Sequence, residues 1–380
     1  MTLKGDIMQR IPQEPWQVVD ELIEQPSWGG RYIIDLKGLS TDGRWENKKV
    51  GQSYELSKTS ILVDPVSNQT RSLAELINGD PSSWLGRSVL NSFGSSLSLL
   101  IKLTQAKGNS FQVHLSEGKT LGHWQPKPEA WFYLAPGLYT FGIKEGTDFE
   151  AYSQVLRTID SEMHQLSHEV SNGVRSVDDA RAQARDRILT LNPYAYVNVI
   201  HAETDDIVDL TAGGIHHSWE EENDAYPEGN LVYEVQIDVQ DELCSMRGFD
   251  KGKLLEDGSL RATHVEDYLQ TIVNDKEHNE LSRHIRKPEL ISDDELGKVE
   301  LLFRTPYFNL DRVTVESNAS YKQTLDGGFH HLFVLSGNAA IGKIGIEQGK
   351  SYFVPSSLHD YNIVTGDANA VILKTYMPTA

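Results

Sequence analysis

The chain has 380 residues, 39% hydrophobic and 24% charged, a globular composition with enough apolar mass for two or three structural units. No apolar run approaches the roughly 20 residues of a membrane-spanning helix, since Ser98 and Lys102 break the stretch 97–103, and residues 1–6 lack the apolar core and cleavage site of a signal peptide. The net charge of −20 repels nucleic-acid phosphates and anionic lipid, while the single Cys244 excludes an internal disulfide, Cys-rich zinc ribbons and iron–sulfur clusters and fits the cytoplasm.

In chain order, Tyr32–Leu36, residues 54–56 and Ile61–Val63 alternate with β-branched and aromatic side chains and predict strands. Ser72 and Glu75 form a capping box for a short helix. Residues 99–103, Phe111–His114 and residues 130–134 read as strands again. The period then changes. Phe149, Tyr152, Leu156, Ile159, Met163 and Leu166 recur at helical spacing, with Thr147 and Glu150 capping the start. A second helix follows Ser176, with Ala180, Ala184 and Ile188 on one face and Pro193 as its stop. Strands resume at 196–200 and 231–235, and a third helical stretch covers about 264–285. The expected architecture is mainly β with helical insertions. One barrel takes residues 1–147 and 192–260, and a second takes 298–380; 148–191 is a helical insertion and 261–297 a helical segment.

No phosphate loop, dinucleotide fingerprint or Gly-x-Ser-x-Gly elbow occurs. Cys244 has no neighbouring histidine and reads as a half-buried strand residue. His164 and His168, four apart beside Glu169, fit a metal edge or a solvated helix face; no third ligand lies near, which favours the face. His264, His278 and His284 also fall on predicted helix. More pointed is the strand Phe111–His114, where Gln112 and His114 share a face. Further on, Lys127-Pro128-Glu129 opens a strand that a hairpin could set beside this pair. Thr211-Ala212-Gly213-Gly214-Ile215-His216 puts a histidine after a glycine-rich turn. Two imidazoles, a carboxylate and an amide oxygen would suit zinc or a similar divalent ion with positions left open. The spacing alone equally allows a set of unrelated polar strand residues.

The run Gln-Val-His, Lys-Pro-Glu, Ala-Gly-x-x-His resembles the type I mannose-6-phosphate isomerase (phosphomannose isomerase) family of the cupin superfamily. The resemblance continues in order through the chain. Trp28-Gly29-Gly30 and Gly51-Gln52-Ser53-Tyr54-Glu55-Leu56-Ser57 come first, then Leu99-Leu100-Ile101-Lys102-Leu103 and Ser110-Phe111-Gln112-Val113-His114. Tyr233-Glu234-Val235-Gln236, Arg247-Gly248-Phe249-Asp250 and Arg261-Ala262-Thr263-His264-Val265 follow. It implies two cupin (jelly-roll) barrels, the C-terminal one degenerate. It implies one zinc ion per chain, held by Gln112, His114, Glu129 and His216. It implies isomerisation of mannose 6-phosphate to fructose 6-phosphate through a cis-enediol, with Arg247, Glu234 and Lys127 as catalytic residues and Lys102 and Ser110 at the substrate. The small-molecule partner would be a sugar phosphate, with no nucleic acid or membrane involved.

His216 rather than His217 fits the frame, because adjacent strand residues face opposite ways. Lys102, in an apolar strand, calls for an anionic partner if buried. This chain departs from the family at Leu115-Ser116-Glu117, between Glu234 and Arg247, and in the enlarged stretch 148–191. Another sugar, or a metal-containing sugar-binding cupin without turnover, therefore stays open. An iron or manganese oxygenase is disfavoured by Gln112. Gly328-Phe329-His330-His331 and Gly349, Pro355, His359 and Asn362 echo the cupin motifs without a ligand set, which implies a structural role.

Overall fold

The computed structural model describes residues 11–378 except 27, 212 and 219–222. Residues 1–6 and Ala212 of the glycine-rich frame lie outside the described residues. The described chain is mainly β, in antiparallel sheets of seven, five, nine and four strands.

Side-chain alternation sorts these sheets into layers. Within Glu129–Tyr133, Ala130 and Phe132 join one apolar core, while Trp131 and Tyr133 join another. Within Asn230–Ile237, Tyr233 and Val235 face the first core and Val232 the second. The seven-stranded sheet that carries both strands is therefore buried on both faces, and its strands read as near-continuous apolar runs. One face packs on the nine-stranded sheet through Phe303, Leu310, Phe333, Phe353 and Leu373. The other meets the five-stranded sheet at Tyr139, Phe141 and Ile200. Beyond the nine-stranded sheet, Val313, Leu332 and Ile372 close on Ile363 and its four-stranded partner. The strands Trp16–Val18, Ile61–Val63 and Thr70–Ser72 extend the nine-stranded sheet, so the early chain shares a sheet with the C-terminal strands.

Helices cover the outer face of the five-stranded sheet. Tyr152, Leu156, Ile159, Met163 and Leu166 of Phe149–Ser171 bury on one stripe against Phe111, Val113, Ile215 and Met246. The cap of this helix is Asp148, which accepts from Ala151 N at 3.0 Å; Thr147 instead donates to Tyr196 O. Val177–Leu191 starts at Ser176 as expected, with Asp179 N donating to Ser176 Oγ at 3.1 Å. It ends at Asn192, whose left-handed φ of 46° precedes Pro193. No described helix is long and apolar enough to cross a membrane.

Three local expectations change. Tyr32–Leu36 is a short helix rather than a strand, and the adjacent Ile33 and Ile34 both bury, which one face of a strand does not allow. The third helical stretch shrinks to Val265–Thr271. Beyond Ile272 the Asp275 carboxylate accepts from His278 N and the Asn279 amide donates to two backbone carbonyls, so local turn bonds compete with helix and leave His278 and His284 outside it. Cys244 ends the four-residue helix Asp241–Cys244 and is fully buried, not a half-buried strand residue.

Candidate active site

The register of the five-stranded sheet places Gln112 directly between His216 and Arg247, with His114 opposite Gly214. Phe111, Val113, Ile215 and Met246 point to the helices, so Gln112, His114, His216 and Arg247 point inward to the seven-stranded sheet. That sheet answers with Glu234 opposite Lys102 on one side and Trp131 on the other, and with Gln236 opposite Glu129. Between the sheets lies a cavity of about 550 Å³, and Lys102, Ser110, Gln112, Lys127, Glu129, Glu234 and Arg247 line it.

His114, Glu129 and His216 are buried and bring one ligand atom each to within 4.8 Å of one another. His114 Nε2 stands 3.3 Å from Glu129 Oε2, and the Gln112 amide lies 3.0 Å from His216 Nε2. Backbone carbonyls set both tautomers. His114 Nδ1 donates to Cys244 O at 2.8 Å and His216 Nδ1 to Gly214 O at 3.0 Å, which leaves each Nε2 lone pair turned inward. His114 Nε2 is a buried atom without a hydrogen-bond partner. Burial, then the nearby His114, lowers His216 to about 3, so its imidazole is neutral. Burial opposes charge on Glu129, but Lys127, 2.6 Å away, and His114 hold its carboxyl well below the usual range. The Trp131 indole N–H donates to the other oxygen. An imidazole held neutral, a second ring whose Nε2 also turns inward, and an ionised carboxylate are donors that suit a divalent ion, so the set fits zinc. Among the described residues no second such group is found.

His217 turns to the helices instead and stacks on Phe111 with 4.3 Å between ring centres. Lys102 meets the anionic partner its burial called for, Glu234 Oε1 at 2.8 Å, and Thr104 donates to Oε2 at 2.9 Å. Burial and the nearby Glu129 raise the Glu234 pKa, against the pull of Lys102 and Lys127. Arg247 is held by the Asp241 carboxylate, and its Nε is buried without a hydrogen-bond partner. Ser110 is buried at the cavity wall. Three participants escape a reading of the sequence. Trp131 is findable, since it sits two residues from Glu129 on the same strand face. Asp241 carries no motif, and Cys244 acts through a backbone carbonyl that side-chain type does not reveal. In the C-terminal sheets, His330 pairs with the Tyr361 hydroxyl at 2.8 Å, and His331 with the Tyr233 hydroxyl at 3.2 Å.

The sequence matches no protein-family model and no curated protein. Solved structures do match. Mannose 6-phosphate isomerase from Bacillus subtilis superposes with a TM-score of 0.65 at 16% identity, over 96% of this chain and 99% of that one. The Salmonella typhimurium enzyme, bound to its substrate and to zinc, gives 0.66 at 13% identity over the same shares. A putative mannosephosphate isomerase from Archaeoglobus fulgidus gives 0.63 at 19% identity, over 97% and 99%. Across almost its whole length, then, this chain has the fold of the mannose-6-phosphate isomerases.

Proposed function

We propose that the chain is a metal-dependent aldose–ketose isomerase that interconverts mannose 6-phosphate and fructose 6-phosphate. The observation that carries this reading is one cavity whose wall carries Gln112, Glu129 of the metal-competent cluster, the buried acid Glu234 and the inward Arg247. Gln112, His114, Glu129 and His216 would hold one zinc ion, whose charge would polarise the oxygens on the first two sugar carbons. Gln112, whose amide nitrogen lies 3.0 Å from His216 Nε2, would offer its amide oxygen to such an ion after a half-turn of the amide. Glu234 takes the proton from C2 as the C1–C2 double bond forms and O1 takes a proton from solvent. Glu234 then returns its proton to C1 while O2 releases its own to solvent, which leaves the ketose. Lys102 and Thr104 orient Glu234 for both transfers. Arg247 stabilises the charge that develops on oxygen, and Lys127 holds Glu129 as a carboxylate. Ser110 and the free protons of Lys102 bind sugar hydroxyls.

In this reading the two sheet pairs are cupin barrels, the first mainly from 1–147 and 192–260 and the second, without a ligand set among the described residues, from 298–380 joined by the strands Trp16–Val18, Ile61–Val63, Thr70–Ser72 and Glu289–Asp294; 148–191 is a helical addition, while 261–297, expected as helical, carries one short helix and the strands Ile285–Arg286 and Glu289–Asp294. The single cysteine favours a cytoplasmic site. One observation favours a different sugar phosphate: the helix Asp241–Cys244 falls in the segment between Glu234 and Arg247 where this chain departs from the family, and its Asp241 and Glu242 line the cavity. A panel of aldose phosphates and free aldoses, given to the zinc-loaded protein, tests the proposal. Mannose 6-phosphate should turn over fastest, and chelation should abolish the rate. Turnover of another aldose phosphate alone would move the substrate; no turnover with metal bound would leave a sugar-binding protein.

A further inference from the structure

Among the described residues, the cations on the cavity wall are engaged with carboxylates. Lys102 sits on Glu234 at 2.8 Å, Lys127 on Glu129 at 2.6 Å and Lys58 on Asp238 at 3.5 Å. Asp241 holds Arg247, and Asp250 holds Arg261 at 2.9 Å. The Trp131 N–H and the Thr104 hydroxyl are taken as well, by Glu129 and Glu234. A sugar presents mostly neutral hydroxyls, and a neutral wall group that is not yet bonded can meet them without first breaking an ion pair.

Tyr54 is such a group. It belongs to the strand Val50–Leu56, which pairs with Leu99–Ala106 in the seven-stranded sheet. Gln52 and Tyr54 line the cavity, while Glu55 turns to the opposite face, where Lys37 and Ser351 hold its carboxylate. The register sets Tyr54 opposite Lys102, and Lys102 opposite Glu234. The three side chains thus form one row along the cavity wall, with Tyr54 two strand spacings, about 10 Å, from Glu234. The Tyr54 ring is half-buried, and its hydroxyl bonds to no described residue. Burial, then the charges of Glu21, Glu234, Asp238 and Asp241, raises its pKa, so the phenol keeps its proton and meets the site as a donor. The half-buried Gln52, opposite Thr104, also has no side-chain hydrogen bond to a described residue.

We propose that Tyr54 is a specificity-determining residue, whose O–H donates to one hydroxyl oxygen of the sugar beyond the two reacting carbons, with the Gln52 amide beside it. The proposal rests on the isomerase reading for the identity of the sugar, but the contact is separable from turnover. The row then divides its work in order across the sheet: Glu234 moves the proton, Lys102 orients Glu234, and Tyr54 selects the sugar. A sugar that lacks this hydroxyl, or carries it in the inverted configuration, leaves the phenol without its acceptor and binds less well.

Calorimetric titration of the zinc-loaded full chain with fructose 6-phosphate and with its 3-, 4- and 5-deoxy analogues measures this contact. Tyr54→Phe, which removes only the hydroxyl, should weaken fructose 6-phosphate binding about three- to tenfold. It should leave one of the three analogues bound as tightly as in the unaltered protein, since that analogue already lacks the partner. In turnover of mannose 6-phosphate, KM should rise more than kcat falls. Equal weakening of fructose 6-phosphate and all three analogues, or no weakening at all, would overturn the contact. So would loss of zinc in Tyr54→Phe, which would make the hydroxyl structural, or no binding of fructose 6-phosphate by the unaltered protein. The selective pattern in a protein with no turnover would support the contact and sink the isomerase reading alone. Turnover that Tyr54→Phe leaves unchanged would do the reverse.

Discussion

His216 and His217 are neighbours in sequence, both buried and both held neutral, yet one turns to the metal cluster and the other to the helices. Strand alternation alone separates them. His216→Ala should therefore lose zinc, whereas His217→Ala should keep it and lose stability by about 1–3 kcal/mol through the space it leaves beside Phe111. Metal content per chain and a urea titration of each variant decide this; the reverse pattern of zinc loss would exchange their roles. At this scale the sequence was most readable where chemistry and parity coincided, as in Gln112 and His114. The partner of Lys102 was partly readable: a buried ammonium needs a carboxylate, but only the register identified Glu234 as the residue directly opposite. Asp241 on Arg247 could not be read, because a carboxylate six residues away along a turn is common everywhere.

Elements with long, one-sided periodicity formed as the pattern demanded, and the short ones did not. The helix Phe149–Ser171 follows its apolar stripe through six turns, and only its first residue differs from expectation. With Asp148 as the cap, Asp148→Ala should cost about 1 kcal/mol and speed amide exchange at Ala151. Unchanged exchange at Ala151 would remove Asp148 from that role. Tyr32–Leu36 is the opposite case. Its β-branched residues favour a strand, but five residues carry little propensity, and burial of both Ile33 and Ile34 outweighs it. The stretch after Ile272 fails as helix because Asp275 and Asn279 offer the backbone nearer partners.

At the scale of the whole molecule the sheets are tied across their apolar interface by a buried polar chain. Tyr233, next to Glu234, meets His331 Nδ1 and the Thr375 hydroxyl, and His331 Nε2 donates to Glu55 O at 3.1 Å. The Glu55 carboxylate binds Lys37 at 2.7 Å and accepts from Ser351. Burial lowers His331 from 6.5 to about 3, with the Lys37 charge adding and the Glu55 carbonyl opposing. The folded protein thus keeps this imidazole neutral where the unfolded chain protonates it. Its contribution to stability is whole above pH 6.5 and is lost as pH falls toward 3. The urea midpoint should drop across that window, and His331→Gln, though less stable, should show a shallower slope. An identical slope would mean that His331 does not carry the proton uptake.

By itself the sequence determined the mainly β class, the two long helices, and the residue types able to hold a divalent ion, because these follow from period, from local caps and from donor chemistry. The tertiary structure alone decided which side chains meet. The register placed Arg247 beside Gln112 and Glu234 beside Lys102, over separations that no local pattern encodes. It also decided which polar groups of the cavity are engaged and which stay uncommitted, since an ion pair depends on which buried carboxylate lies within reach and not on how many cations the chain contains.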